Sequence, residues 1–129
     1  LINDAGLMNN ITLLGHLSDV SSFMRTVDIC VLSSVSEAFP NVIVESMLCG
    51  TPCVSTDVGD VANIIGKTGW ISSPLDSKAL AASVILAANE RAGDTATWNL
   101  RREKCRDRAV NNFSLDRMIN NYIKVWSSG

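Results

Sequence analysis

The stretch Ser33-Ser-Val-Ser-Glu37-Ala-Phe-Pro-Asn41-Val-Ile-Val-Glu45-Ser-Met-Leu-Cys49-Gly-Thr-Pro-Cys53-Val-Ser-Thr-Asp57 decides the fold. An apolar run, Ile29 to Leu32, precedes it. A helix start follows at Phe39-Pro40-Asn41, Gly50 marks the stop, and Pro52 opens the next strand. The order strand, loop, helix, strand is the building block of a parallel α/β sheet. Glu37 and Glu45 flank the helix start with seven residues between them. In open α/β sheets ligands bind at the carboxyl ends of the strands, where this loop must lie.

The chemistry available there follows from the backbone and two side chains. The first turn of a helix presents unpaired N–H groups and a partial positive charge, which suit a phosphate. Asn41 and Glu45 are one turn apart and share a face. An ionised carboxylate only accepts hydrogen bonds, so it matches sugar hydroxyls. Two carboxylates around such a helix end could grip the two sugars of a nucleotide-sugar. An ordinary amphipathic helix also accounts for the pattern. Val42, Ile43, Val44, Met47 and Leu48 are apolar, and Asn41, Glu45, Ser46 and Cys49 form a narrow polar side. Periodicity alone favours that plainer account for Glu45, since charged residues normally face solvent.

Outward from this unit the chain reads as one domain. Ile11 to Leu14 is expected to be a short buried strand, with Gly15-His16-Leu17-Ser18 as its exit loop. Asp19 caps a short helix from Val20 to Thr26. Ile29 to Leu32 and Cys53 to Ser55 are strands, Asp60 to Ile65 is a short helix, and Trp70 to Ser72 a last strand. Helices are expected from Ser77 to about Asn89 and from Thr95 to Asn111, broken at Phe113-Ser114. Leu1 to Leu7 looks like the tail of a helix, and Asn9-Asn10 is a turn. Leu115, Met118, Ile119, Tyr122, Ile123 and Trp126 then form an apolar stripe, read as core packing rather than as a membrane-surface helix.

Composition excludes several classes. The chain has 129 residues, 47% of them hydrophobic, with 11 basic and 13 acidic side chains and a net charge of −2. That balance does not point to nucleic acid. The basic run from Arg101 to Arg108 is interleaved with Glu103 and Asp107 and reads as a solvated helix face. No apolar run approaches the about 18 residues of a membrane helix, and no signal-peptide pattern opens the sequence. Cys30, Cys49, Cys53 and Cys105 show no Cys-x-x-Cys spacing, and His16 is the single histidine. A metal site is therefore not expected, and reduced thiols of a cytoplasmic protein are. No Gly-x-Gly-x-x-Gly follows a strand, which speaks against a dinucleotide oxidoreductase.

The run Glu37 to Val54 resembles the donor-binding signature of the retaining GT-B glycosyltransferases, in particular glycosyltransferase family 4 (group 1). The likeness extends to Ile11-Thr12-Leu13-Leu14-Gly15, Val27 to Ser34, Thr56-Asp57-Val58-Gly59 and Gly69-Trp70-Ile71. Ala38 stands where the family usually has Gly, Ser46 where it often has Ala, Asp60 in place of a second Gly, and Asn63 roughly where many members carry Glu. The resemblance implies an α/β, Rossmann-like three-layer α/β/α fold with a parallel sheet, residues 1–129 forming part of the C-terminal domain of a GT-B enzyme. It implies a domain incomplete on its N-terminal side, lacking two strands, a Gly-rich turn and a basic pair that neutralises the donor diphosphate. It also implies a last helix that crosses back to the N-terminal domain, so that some of the stripe from Leu115 to Trp126 is expected to be exposed in this chain by itself.

The same resemblance assigns roles. Glu37 is expected to meet the transferred sugar as the catalytic-site carboxylate, and Glu45 the ribose hydroxyls. Backbone groups around Phe39, Pro40, Asn41 and Val42 would face sugar and diphosphate, and Gly15, His16 and Leu17 would border the base. The substrate is a nucleoside-diphosphate sugar, with no cofactor and no metal. Transfer would proceed with retention, to a glycan, lipid or other acceptor held by an absent N-terminal domain, as in cell-surface polysaccharide biosynthesis. By itself this chain is expected to transfer no sugar and to self-associate through the strand edge at Ile29 to Leu32. The full enzyme would be cytoplasmic, with peripheral association at the inner face of the membrane. The rival from another class is a non-catalytic nucleotide or nucleotide-sugar binding module.

Overall fold

A computed structural model of the chain describes residues 4–127. Its elements are α1 (Val20–Thr26), β1 (Cys30–Leu32), α2 (Asn41–Leu48), β2 (Cys53–Thr56), α3 (Val61–Ile65), β3 (Trp70–Ser72), α4 (Ser77–Ala92), α5 (Thr95–Phe113) and α6 (Leu115–Ser127). The three strands form a parallel sheet in the order β1-β2-β3, with Cys30 opposite Cys53 and Ser55 opposite Ile71. This is the expected α/β architecture with a parallel sheet.

Side chains alternate across the pleat and so assign the two faces. Cys30, Leu32, Cys53 and Ile71 share one face. They pack with Ile43 and Met47 of α2, Val61, Ile64 and Ile65 of α3, and Cys105 and Ala109 of α5. Val54 points to the other face and is fully buried. There α4 packs on β2 and β3, with Ser83 and Ala87 as its buried positions. Val31 of β1 lies on that second face but stays 46% exposed. Helix α5 joins the two layers. Trp98 near its start stacks on Trp70 of β3 at 6.4 Å, Arg101 lies 4.3 Å over the same ring, and Cys105 donates to the Thr51 carbonyl at 3.7 Å.

Helix starts follow the capping rules at three places. Asp19 accepts from the Ser22 N–H, Asp76 from the Ala79 N–H, and Asp94 from the Ala96 and Thr97 N–H groups. Helix α1 is clamped to the floor of the sheet. The buried Thr51 hydroxyl donates to the Met24 carbonyl at 2.6 Å, and the Cys49 thiol to the Ser21 carbonyl at 3.6 Å.

Three expectations are corrected. Ile11 to Leu14 forms no strand and is not buried, with Leu13 82% exposed. Nothing among the described residues pairs with it, and a strand is held by its neighbour's ladder rather than by its own apolar run. Ser46, placed on the polar side of its helix by periodicity, is fully buried and donates to the Thr51 carbonyl at 3.1 Å. The apolar stripe of α6 is not core. It packs chiefly against α5, and Leu115, Ile119, Tyr122, Ile123 and Trp126 are all exposed, Trp126 at 84%. The side chain of Met118, also in the stripe, lies outside the described residues. So do residues 1–3 of the expected tail Leu1 to Leu7, whose residues 4–6 form a turn.

Candidate donor site at the carboxyl ends of the strands

The loop between β1 and α2 is held by bonds from its neighbours and by one of its own. The Thr56 hydroxyl, at the end of β2, donates to the Ser34 carbonyl at 2.6 Å. The Ser34 hydroxyl in turn donates to Glu37 Oε1 at 2.7 Å. One bond places the loop and the next orients the carboxylate. From the β2–α3 loop, the Asp60 N–H donates to the Ala38 carbonyl at 3.0 Å. Gly59, at φ +52°, lies directly against the Glu37 and Ala38 backbone. Only a residue without a β-carbon allows that approach.

The end of the loop is anchored by rings. Pro40 is buried, and Phe39 packs edge-to-face on Phe113 at the end of α5, with centroids 6.0 Å apart. Helix α2 then begins at Asn41 with Pro40 as its N-cap and no side chain capping it. The Ile43 N–H turns back to the Pro40 carbonyl at 3.1 Å, and the N–H groups of Asn41 and Val42 are left without a capping side chain, unlike the first-turn donors of α1, α4 and α5. Asn41, Val42 and Glu45 are exposed on this helix, and Glu37 is half-buried beside its start. Beside the same helix start, a hollow of about 790 Å³ is lined by Phe39, Asn41, Val44, Phe113, Tyr122 and Trp126, among others.

Charge at the site is one-sided. Glu37, Glu45, Asp57 and Asp60 are all acidic, and the sequence has no Lys or Arg between Arg25 and Lys67. Open backbone N–H groups are the donors this unit offers to an anion, and its carboxylates are acceptors for hydroxyls. Among the described residues no cluster of three or more His, Cys, Asp or Glu side chains could hold a metal ion. No described helix is long and apolar enough to cross a membrane.

The structure thus brings Glu37, Phe39, Pro40, Asn41, Val42 and Glu45 into one loop–helix unit. Gly15, His16 and Leu17 are different. Gly15 sits at φ +65°, His16 is exposed and Leu17 half-buried. No hydrogen bond among the described residues ties them to that unit. Sequence reasoning did not find the residues that hold the loop: Ser34, Thr56 and Phe113. Gly59, in a turn quoted above, was the available signal for such a close approach.

Residues 1–90 match the family described as glycosyl transferases, group 1. The chain is 30% identical over 125 residues to the capsular polysaccharide biosynthesis glycosyltransferase CapM of Staphylococcus aureus, covering 89% of this chain and 32% of that protein. It is 24% identical over 128 residues to the N-acetyl-alpha-D-glucosaminyl L-malate synthase of Bacillus anthracis, covering 98% of this chain and 32% of that one. Among solved structures, a glycosyltransferase from Rickettsia africae superposes with a TM-score of 0.88 at 25% identity, covering 98% of this chain and 34% of that chain. Anabaena HepE, in complex with UDP and glucose, superposes at 0.83 with 27% identity, covering 99% and 35%. The chain spans about a third of the length of these relatives.

Proposed function

Because this chain belongs to the group 1 glycosyl transferases, we propose that its Glu37–Glu45 unit binds the nucleoside-diphosphate sugar donor of a retaining GT-B enzyme. The observation that carries the reading is the uncapped start of α2, set between two carboxylates at the carboxyl ends of parallel strands. The long helices α4 and α5 start on capping aspartates, and Ser114 accepts from the Arg117 N–H at the start of α6. Here the Asn41 and Val42 amides have no side-chain cap and are left for a ligand. The complex of HepE with UDP and glucose supports this choice of donor class.

In this reading Glu45 accepts from the ribose hydroxyls and Glu37, fixed by Ser34, accepts from a hydroxyl of the sugar being transferred. The amides of Asn41 and Val42 face the diphosphate, where negative charge grows as the bond to the anomeric carbon breaks. The acceptor oxygen bonds to that carbon on the face the diphosphate leaves, and the acceptor proton leaves with the departing phosphate. Gly15 to Leu17 border the base. No metal or other cofactor is assigned a part. Because no basic residue lies between Arg25 and Lys67, cations elsewhere in the longer enzyme would neutralise the rest of the diphosphate charge. The acceptor belongs to an N-terminal domain, and the CapM relationship supports a surface polysaccharide as its class. The enzyme would act in the cytoplasm, peripherally at the inner membrane face.

Titration calorimetry of the purified chain with UDP, ADP, GDP and their sugars tests the reading. One nucleotide series should bind, the sugar-bearing member more tightly than the bare diphosphate, and the chain alone should transfer no sugar. No heat with any member of the panel would overturn it. Binding by a longer form that holds its acceptor but never turns over would favour the non-catalytic module.

A further inference from the structure

We propose that Cys30 and Cys53 form a peroxide-reactive dithiol that closes to a disulfide across the β1–β2 ladder. The two are register partners on adjacent parallel strands and lie on the same face of the sheet. Neighbouring strands run about 4.7–4.9 Å apart, and disulfides span Cα separations of about 4.4–6.8 Å. The pair can therefore close without moving either strand far. All four cysteines are free thiols in this structure.

The two thiols are not equivalent. Cys30 is half-buried on the edge strand, and Cys53 is buried beneath α2. The neighbouring Cys53 thiol draws the Cys30 thiol down to about 7, against the upward push of its own burial. Cys53 is pushed up by the same contact and by burial. Cys30 is thus the thiolate that meets the oxidant, and Cys53 the thiol that resolves it. Cys105 is the nearest competitor, since its sulfur and that of Cys53 both approach the Thr51 carbonyl, at 3.7 and 3.6 Å. Burial holds Cys105 at about 11, so it stays protonated and unreactive. Cys49 bonds the Ser21 carbonyl at the far end of α2.

The step balances with hydrogen peroxide as oxidant. The Cys30 thiolate attacks one peroxide oxygen, the O–O bond breaks, and hydroxide leaves and takes up a proton as water. Cys30 is then a sulfenic acid. The Cys53 sulfur attacks the Cys30 sulfur, the S–O bond breaks, and the hydroxyl departs as water with the Cys53 proton. Two thiols lose two electrons in total, and the peroxide becomes two waters. The product ties together the two strands whose loops carry Glu37 and Gly59.

The test is hydrogen peroxide treatment of the reduced chain, followed by digestion and mass mapping. A Cys30–Cys53 cross-linked peptide that dithiothreitol reverses is the expected result. In Cys53→Ala, dimedone should label Cys30 and no cross-link should form, while Cys105→Ala should cross-link as the unchanged chain does. A first cross-link through Cys105 or Cys49, or oxidation that spares Cys30, would overturn the proposal. Should Cys53→Ala not fold, the map of the unchanged chain decides by itself.

Discussion

The carbonyl oxygen of Glu37 occupies the space a β-carbon on Gly59 would need, with the Ala38 oxygen a further 2.5 Å neighbour of that position. The β2–α3 turn is therefore the back wall of the loop that carries Glu37. Gly59→Ala combines a left-handed backbone with a clash against main-chain atoms, which cannot rotate away. It should lower stability by roughly 2–4 kcal/mol and displace the Glu37 loop. A denaturation midpoint within error of the unchanged chain would contradict this.

Glu45→Ala and Glu37→Ala should separate in a binding assay. Loss of Glu45 removes contacts to the nucleoside, so bare nucleotide and nucleotide-sugar should weaken alike, by about 1.5–3 kcal/mol. Loss of Glu37 should weaken the sugar-bearing ligand and leave the bare nucleotide nearly unchanged. Calorimetry of both variants, with circular dichroism as a check on folding, reads the difference directly. Equal losses for both ligands in Glu37→Ala would remove that residue from the transferred sugar.

Thr51→Val keeps the shape of a fully buried side chain and deletes its bond to the Met24 carbonyl. The orphaned carbonyl should cost about 1–2 kcal/mol, seen as a lower urea midpoint with an unchanged slope. Amide exchange should speed up first in α1, because the lost bond is its clamp to the sheet floor.

Acid should loosen α1 and α5 before it unfolds the sheet. Hydrogen bonds from the Ser22 side chain and backbone hold Asp19 below its ordinary 3.8, and those from the Thr97 side chain and backbone do the same for Asp94. Each carboxylate is a weaker base folded than unfolded. The stability it contributes is present above about pH 4 and is lost as pH falls through the folded-state value. Asp19→Asn with Asp94→Asn keeps a capping side chain that does not titrate. Midpoints of the double variant measured from about pH 6 to about pH 3 should fall less steeply than those of the unchanged chain.

The β1–α2–β2 unit was legible because its punctuation is local: Pro40 can only begin a helix, Gly50 readily ends one, and Pro52 starts the next strand. The Glu37–Asn41–Glu45 grouping was legible for the same reason. What failed depended on partners outside the element itself. Ile11 to Leu14 has the residues of a strand, but pairing decides, and nothing described pairs with it. Ser46 sits at a polar position by spacing, yet its hydroxyl turns in to the Thr51 carbonyl just before β2 and is buried there. The stripe of α6 announced an amphipathic helix, but amphipathicity does not name what will cover the apolar side.

The bridging helix α5 has a consequence during translation. Its bonds to the core reach far back along the chain, from Cys105 to Thr51, Arg106 to Leu48 and Arg108 to Ile64. The sheet and the inner faces of α2 and α3 therefore emerge from the ribosome before the residues that seal them. At about 5–20 residues per second, the 45 positions from Ile64 to Ala109 take roughly 2–9 s to add. Throughout that interval Ile43, Met47 and Ile64 form a greasy, half-built surface, the part of the nascent chain a chaperone would meet.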